Sequence, residues 1–347
     1  MLRVAFTSFR KITIQGYNNI KILEKGSFVT CFTAVSSDNE KVVLIVSDNT
    51  QELQTRFDLA RKLEDIEGVQ KLCGLQKLEI QDSTLEQLEA EYPGIFSKDS
   101  HVLTGRYYAT QYNDHVRQLS LPQKLDFFRE LLVLVKQVHD KGVYHMDLKP
   151  SNIMIQDGKP VLIDFGQSVT EAEVDSVLNT SAYAPKHDVY SCNVIPEKFD
   201  IYCLGNMLHE IYTGQPLGYP LSPSQKQKQV QQSVKVLASD LVGLMTSRIQ
   251  DFRLDLQYSI NHPLFTSDSK ETDSCQQLID QFSHKILSYS YYLETVEDEI
   301  ENSYSSFYSE CETLCKTNTN TSLKDLFGNV VLSRIGSCLL IVSDSSE

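Results

Sequence analysis

The sequence predicts an α+β chain of two lobes, the first rich in strands and the second helical. Three observations carry this. Residues 11–46 hold short apolar segments parted by turn residues. From about residue 198 the apolar positions recur at helical spacing. Between them stands a long amphipathic segment, 120–140. A chain of 347 residues with 41% hydrophobic residues has room for one large domain or two small ones around a real core.

In order, the strand signals are Ile12–Ile14, Ile20–Leu23, Phe28–Val35 and Val42–Val46, the last after the turn Ser36-Ser37-Asp38-Asn39. A helix follows over roughly 51–65, with Leu53, Phe57, Ala60 and Leu63 on one stripe. Residues 66–119 are mixed, with a strand-like Tyr107–Tyr112. Ser120 and Gln123 form a capping box with Pro122 in the first turn. Leu125, Phe128, Leu132, Val135 and Val138 line one face of the helix they open, and Gly142 closes it. Helices are then expected at 198–213, stopped by Gly214, at 225–247 and at 253–260. Residues 266–347 are rich in Ser, Thr and Tyr, and the acidic stretch Glu294–Glu301 reads as a solvated helix face.

Charge narrows the function. Lys and Arg total 32 against 46 Asp and Glu, a formal charge of -14. That argues against a nucleic-acid partner, whose phosphates need a basic surface, and against docking on anionic membranes. The run Leu339–Val342 is too short to span a bilayer, so no membrane insertion is expected. Met1-Leu-Arg-Val-Ala-Phe lacks the apolar core of a signal peptide. The 8 cysteines are scattered, and Cys311 and Cys315 lack zinc-finger spacing. The expectation is a reduced, cytoplasmic, soluble protein.

The most informative segment is Tyr144-His145-Met146-Asp147-Leu148-Lys149-Pro150-Ser151-Asn152-Ile153-Met154-Ile155. Beyond it the strand Val161-Leu162-Ile163 delivers Asp164-Phe165-Gly166. These residues resemble the catalytic loop H-R-D-L-K-P-x-N and metal motif D-F-G of the eukaryotic-type protein kinases. Asp200–Gly205 resembles that family's buried helix, with Tyr202 where Trp is usual. Asp251-Phe-Arg253 and Asn261–Phe265 resemble the end of its C-lobe, and Lys149-Pro150 points to the Ser/Thr branch. The resemblance implies a bilobal protein-kinase-like fold over 15–265, with an N-lobe at about 15–111 and a C-lobe at about 114–265. Residues 1–14 would be an N-terminal extension and 266–347 a C-terminal one.

The resemblance also implies roles, with ATP and Mg²⁺ as cofactors. Asp147 would accept the substrate hydroxyl proton, and Lys149 would sit against the transferring phosphate. Asn152 and Asp164 would hold Mg²⁺, for which amide and carboxylate oxygens are suitably hard ligands. Nucleotide contacts would come from Leu23, Gly26, Val43, Met154 and Ile163. The hinge Tyr107–Asn113 would add Thr110 as gatekeeper and Gln111, Tyr112 and Asn113 through their backbone. His145 would be structural, packed near Phe165.

The first lobe departs from the pattern. Where the family has L-G-x-G-x-F-G-x-V, this chain reads Leu23-Glu24-Lys25-Gly26-Ser27-Phe28-Val29-Thr30-Cys31, keeping only the middle glycine. Glu24 adds negative charge near the phosphates. Val42–Val46 lacks the phosphate-binding lysine of the third strand, and Ile45 aligns in its place. The helix glutamate that normally orients that lysine aligns with Phe57 or Asp58, and Lys25 is the nearest basic residue in the loop. In the second lobe Met146 replaces the H-R-D arginine, so activity should not depend on activation-segment phosphorylation. Thr180 matches the threonine that braces Asp147 and Lys149. Ala184-Pro185-Lys186 replaces A-P-E, whose glutamate pairs with the arginine matched by Arg253, so that contact must be rebuilt or absent.

Two readings follow, an atypical Ser/Thr protein kinase acting on a protein hydroxyl and a pseudokinase that scaffolds partners. A small-molecule kinase of the same fold is disfavoured by Lys149-Pro150, Ala184-Pro185, Asp200 and Arg253.

Overall fold

Val42–Val46 is apolar without alternation, which suits a strand buried on both faces. In the computed structural model it lies in β5 of a closed barrel. The structure describes residues 2–6, 12–26, 28–175, 177, 181–186, 188–189, 193–217 and 232–266. Thr180 and the acidic stretch 294–301 lie outside the described residues.

The barrel strands are β1 (Leu2–Phe6), β2 (Ile12–Ile14), β3 (Tyr17–Lys25), β4 (Thr30–Ser36), β5 (Lys41–Ser47), β6 (Leu72–Ile80) and β7 (His101–Arg106), in the order β1-β2-β3-β4-β5-β7-β6. The barrel closes where β1 runs parallel to β6, with Val4 opposite Ile80. Residues 1–14, expected as an extension, thus contribute two of its strands. Helix α1 (Thr50–Lys62) follows β5, and α2 (Asp82–Glu91) joins β6 to β7.

Alternation on β5 sets two cores. Leu44 and Val46 pack with Phe32, Leu78, Phe96 and Val102, while Val43 and Ile45 pack with Leu53 of α1 and Leu103. Asn49 caps α1, its side chain accepting from the Glu52 amide at 3.2 Å.

The expected strand over Tyr107–Tyr112 lies earlier, as β7, because 101–106 supplies the register against β5, with Ile45 opposite Leu103. Residues 107–109 leave the sheet, and β8 (Thr110–Gln111) pairs with β9 (Ile153–Gln156), which pairs with β10 (Lys159–Leu162). Thr110 therefore stands beyond the end of the barrel strand. A short helix, α3 (Tyr112–Val116), precedes α4 (Leu121–Asp140), which ends where Gly142 takes φ 62° and donates to the His139 carbonyl at 2.8 Å.

Packing groups the chain into two compact units, Met1–Ser120 with Leu134–Glu171, and Leu121–Val133 with residues from Ala172 onward. The second contains α5 (Pro196–Thr213), α6 (Gln232–Met245), α7 (Leu256–Ile260) and α8 (Pro263–Thr266). Helix α5 ends at Gly214 in the left-handed region, as expected. At Gly205 a Cβ would approach Met245 Cβ to 2.7 Å, so α5 and α6 meet where only glycine fits.

The A-P-E contact is rebuilt in this unit. Arg253 takes both carboxylate oxygens of Asp188, at 2.6 and 3.1 Å, two residues beyond Lys186. Among the described residues no helix is long and apolar enough to cross a membrane.

Candidate active site

The catalytic-loop residues lie in the first unit and are brought together by direct bonds. After the left-handed Met146 (φ 62°) the chain turns out to Asp147. A buried residue other than glycine in that conformation is uncommon and marks a constrained loop. Lys149 donates to the Asp147 carboxylate at 2.7 Å, and Asn152 Nδ2 donates to the same oxygen at 3.0 Å and to the Asp147 carbonyl at 2.8 Å. Asn152 sits in a tight turn, Pro150–Asn152, that leads into β9.

His145 connects this loop to the D-F-G turn. Its Nε2 bonds the Ile163 carbonyl at 3.0 Å, and its ring lies 4.9 Å from that of Phe165. The Ile163 amide donates to the Asn152 carbonyl at 3.0 Å. Asp164 then adopts φ 62° and caps a single turn, Phe165–Gln167. The structural role expected of His145 has this physical form.

The side on which the resemblance implies phosphate contacts differs. Ile45 stands between Cys31 and Leu103 on the face toward α1, 5% exposed, and the cation on its strand, Lys41, is four residues away with its ammonium 3.7 Å from the centre of the Tyr107 ring. Lys25 donates to the Pro93 carbonyl at 3.1 Å. On α1, Phe57 packs against the Ile45 cluster, and Asp58 is exposed and accepts from Gln54 at 3.0 Å. Neither candidate for the orienting glutamate reaches the site, because on α1 the buried face passes through Leu53, Arg56 and Ala60.

The residue that reaches it is Arg56. Its Nη1 forms an ion pair with Asp164 Oδ1, while Nε and Nη2 hold Glu52 Oε1, one turn earlier, at 3.3 and 3.0 Å. A Cβ on Gly166 would collide with the guanidinium, so the glycine of D-F-G gives it a seat. Ile45, Ala60, Gln70, Leu72 and Phe165 line the same recess. A charge at helical spacing within the stripe Leu53, Ala60 and Leu63 is the signal that sequence reasoning passed over.

Burial alone would favour the neutral forms of both partners, yet each charge stabilises the other. Asp164 is left with its carboxyl below the usual carboxylate range, and Arg56 with its guanidinium above its ordinary value. Cys31, beside Ile45, has its thiol pushed up to about 12 by burial and then by the Asp164 charge.

The other expected nucleotide contacts are spread around this centre. Val43 is buried, Met154 and Ile163 are half-buried, and Leu23 is exposed on β3. Gly26 donates its amide to the Val29 carbonyl at 2.9 Å, closing a tight loop. Gln111 pairs with Met154, Tyr112 is buried and Asn113 is exposed.

A loop of this form followed by a D-F-G turn, together with the strand barrel, is the arrangement of the protein kinase class. Comparison agrees, for the protein kinase domain model matches residues 17–289, and the chain belongs to the protein kinase family, in its Ser/Thr branch. It is similar to the serine/threonine-protein kinase nekl-2 of Caenorhabditis elegans, 24% identical over 72% of this chain and 74% of that protein. It also resembles mouse Aurora kinase C, 26% identical over 46% of this chain and 63% of that one. Mouse sperm motility kinase 3A is 32% identical over 29% of this chain and 21% of its own length.

Proposed function

We propose that this chain is an ATP-dependent serine/threonine protein kinase that transfers slowly. The observation that carries this is the Asp147 carboxylate, held by Lys149 and Asn152 and only 14% exposed. A carboxylate so fixed is placed to accept the proton of a protein hydroxyl while the oxygen attacks the γ-phosphorus and ADP leaves. Lys149 offsets charge on the transferring group. Adenine would lie against Val43, Met154 and Ile163, with Leu23 and Gly26 above it and the backbone of Gln111, Tyr112 and Asn113 at its edge.

The remaining oxygens fit a Mg²⁺ carried in with the nucleotide. Asn152 commits its amide nitrogen to Asp147, which leaves Oδ1 as the end without a partner among the described residues. Asp164 commits Oδ1 to Arg56 and the Gly166 amide, and Oδ2 takes no partner among the described residues. Mg²⁺ commonly takes one or two protein oxygens and completes its shell with phosphates and water. When bound it would neutralise phosphate charge.

A pseudokinase scaffold is the second reading, favoured by Ile45 buried where the lysine should be. Loss of one positioned cation costs on the order of 3 kcal/mol in the transition state, about a hundredfold in rate. Radiolabel transfer from ATP to a generic acceptor tests the choice. Wild type should show a slow signal that Asp147→Asn abolishes, and signals equal in the two proteins would leave only the scaffold.

A further inference from the structure

We propose that Arg56, reaching in from α1, is the cation that grips the nucleotide phosphates in place of the missing third-strand lysine, so that this site holds ATP without needing a metal. This rests on the nucleotide-binding reading above and adds to it the residue that recognises the triphosphate.

Three observations support the assignment. The first is position. Arg56 and Ile45 line one recess with Asp164 and Phe165, so the guanidinium lies where a lysine at 45 would place its charge. The second is capacity. Of the five N–H donors of a guanidinium, Nε and one each on Nη1 and Nη2 are used among the described residues, which leaves two for a further anion. The third is orientation. Glu52 holds the guanidinium through two N–H groups and the Gly166 backbone faces it, so its plane is set before any ligand arrives. A preset planar fork suits phosphate oxygens better than a flexible ammonium.

One charge opposes binding. Glu52 and Asp164 together exceed Arg56 by one negative charge, which lowers the attraction for a phosphate. The assignment therefore predicts opposite effects at two residues one helical turn apart. Removing Arg56 should weaken the triphosphate, and neutralising Glu52 should strengthen it.

Calorimetric titration of the full chain with ATP and with adenosine, each in EDTA and in Mg²⁺, tests this. Adenosine has no phosphate and reports the adenine pocket alone. Wild type in EDTA should bind ATP at least tenfold more tightly than adenosine, with less than a threefold change on adding Mg²⁺. Arg56→Gln should lose that preference in EDTA while binding adenosine as wild type does, and Arg56→Lys should keep part of it. Glu52→Gln should tighten ATP a few-fold and leave adenosine alone.

Wild type that prefers ATP over adenosine only when Mg²⁺ is present overturns the inference whatever the variants do, since the metal would then be the phosphate grip. A full ATP preference retained in Arg56→Gln overturns it as well. Absence of ATP and adenosine binding in wild type under both conditions is a different failure, and removes the nucleotide-binding reading itself.

Discussion

Each compact unit of this chain has an arginine paired with a distant aspartate, and the two pairs have opposite surroundings. Arg253 and Asp188 are 0% and 2% exposed in their side chains. The guanidinium also donates to the carbonyls of Ser247 at 2.8 Å and Lys198 at 3.1 Å, and it lies 5.0 Å from the Tyr202 ring centre. Arg56 is similarly covered, at 10%, but its partner Asp164 is 46% exposed, and two of the guanidinium's N–H donors have no partner among the described residues. The bond is the same, and the surroundings decide its use. A sealed, bidentate pair with further backbone partners holds structure together, whereas a pair open on its acid side can exchange partners.

Breaking the sealed pair should have the largest effect. Arg253→Met takes the guanidinium away from the buried Asp188, and about 3–5 kcal/mol of stability should disappear from urea unfolding. Arg56→Gln should cost less than about 2 kcal/mol, because solvent reaches the carboxylate it abandons. Equal losses would erase the distinction between the two pairs.

Next in size is Ile45→Lys. A new ammonium would enter the apolar cluster of Val43, Leu53 and Leu103 and face the guanidinium, with Asp58 pointing elsewhere. Stability should fall by about 2–4 kcal/mol with no gain in transfer. The double variant Ile45→Lys/Arg56→Glu sets a lysine on β5 against a glutamate on α1. Measured against the single variants, it should recover about 1–3 kcal/mol as coupling. Strict additivity would show that the two positions do not meet.

Cys31 reads the field of the open pair. With its thiol pushed up to about 12, it should alkylate at pH 8 far more slowly than the exposed Cys73. Asp164→Asn removes one of the charges that raise it and should speed the reaction, as peptide mapping would show.

The smallest effect belongs to the second unit. Burial holds His209 below its ordinary range, and its Nδ1 bonds the Gln215 carbonyl at 2.9 Å. The unfolded chain therefore binds the proton first, so stability should be full above about pH 6.5 and decline, by less than about 1 kcal/mol, as pH falls below it. His209→Gln should flatten that slope between pH 7 and 5 in denaturant titrations.

Much of this was legible before any coordinates, because its causes are local. Asp147, Lys149 and Asn152 are close in sequence, so one loop conformation brings them together, and the apolar run Val42–Val46 announces a strand buried on both faces. Gly214 after a helical stripe marks a helix end by its own backbone freedom. That Val42–Val46 holds no lysine is equally plain. The substitutes are not local. Arg56 lies 108 residues from Asp164, and Arg253 lies 65 from Asp188. In the sequence Arg56 is one cation on an amphipathic helix and Asp188 one acid in a loop. Folding decided that the buried face of α1 turns Arg56, rather than Phe57 or Asp58, toward the D-F-G turn, because Leu53 and Ala60 must be buried and Arg56 shares their face. It also decided that Asp188, beyond Lys186, meets Arg253. Charges taken out of water must find partners wherever the chain brings them, and only the tertiary structure determines which partners are within reach.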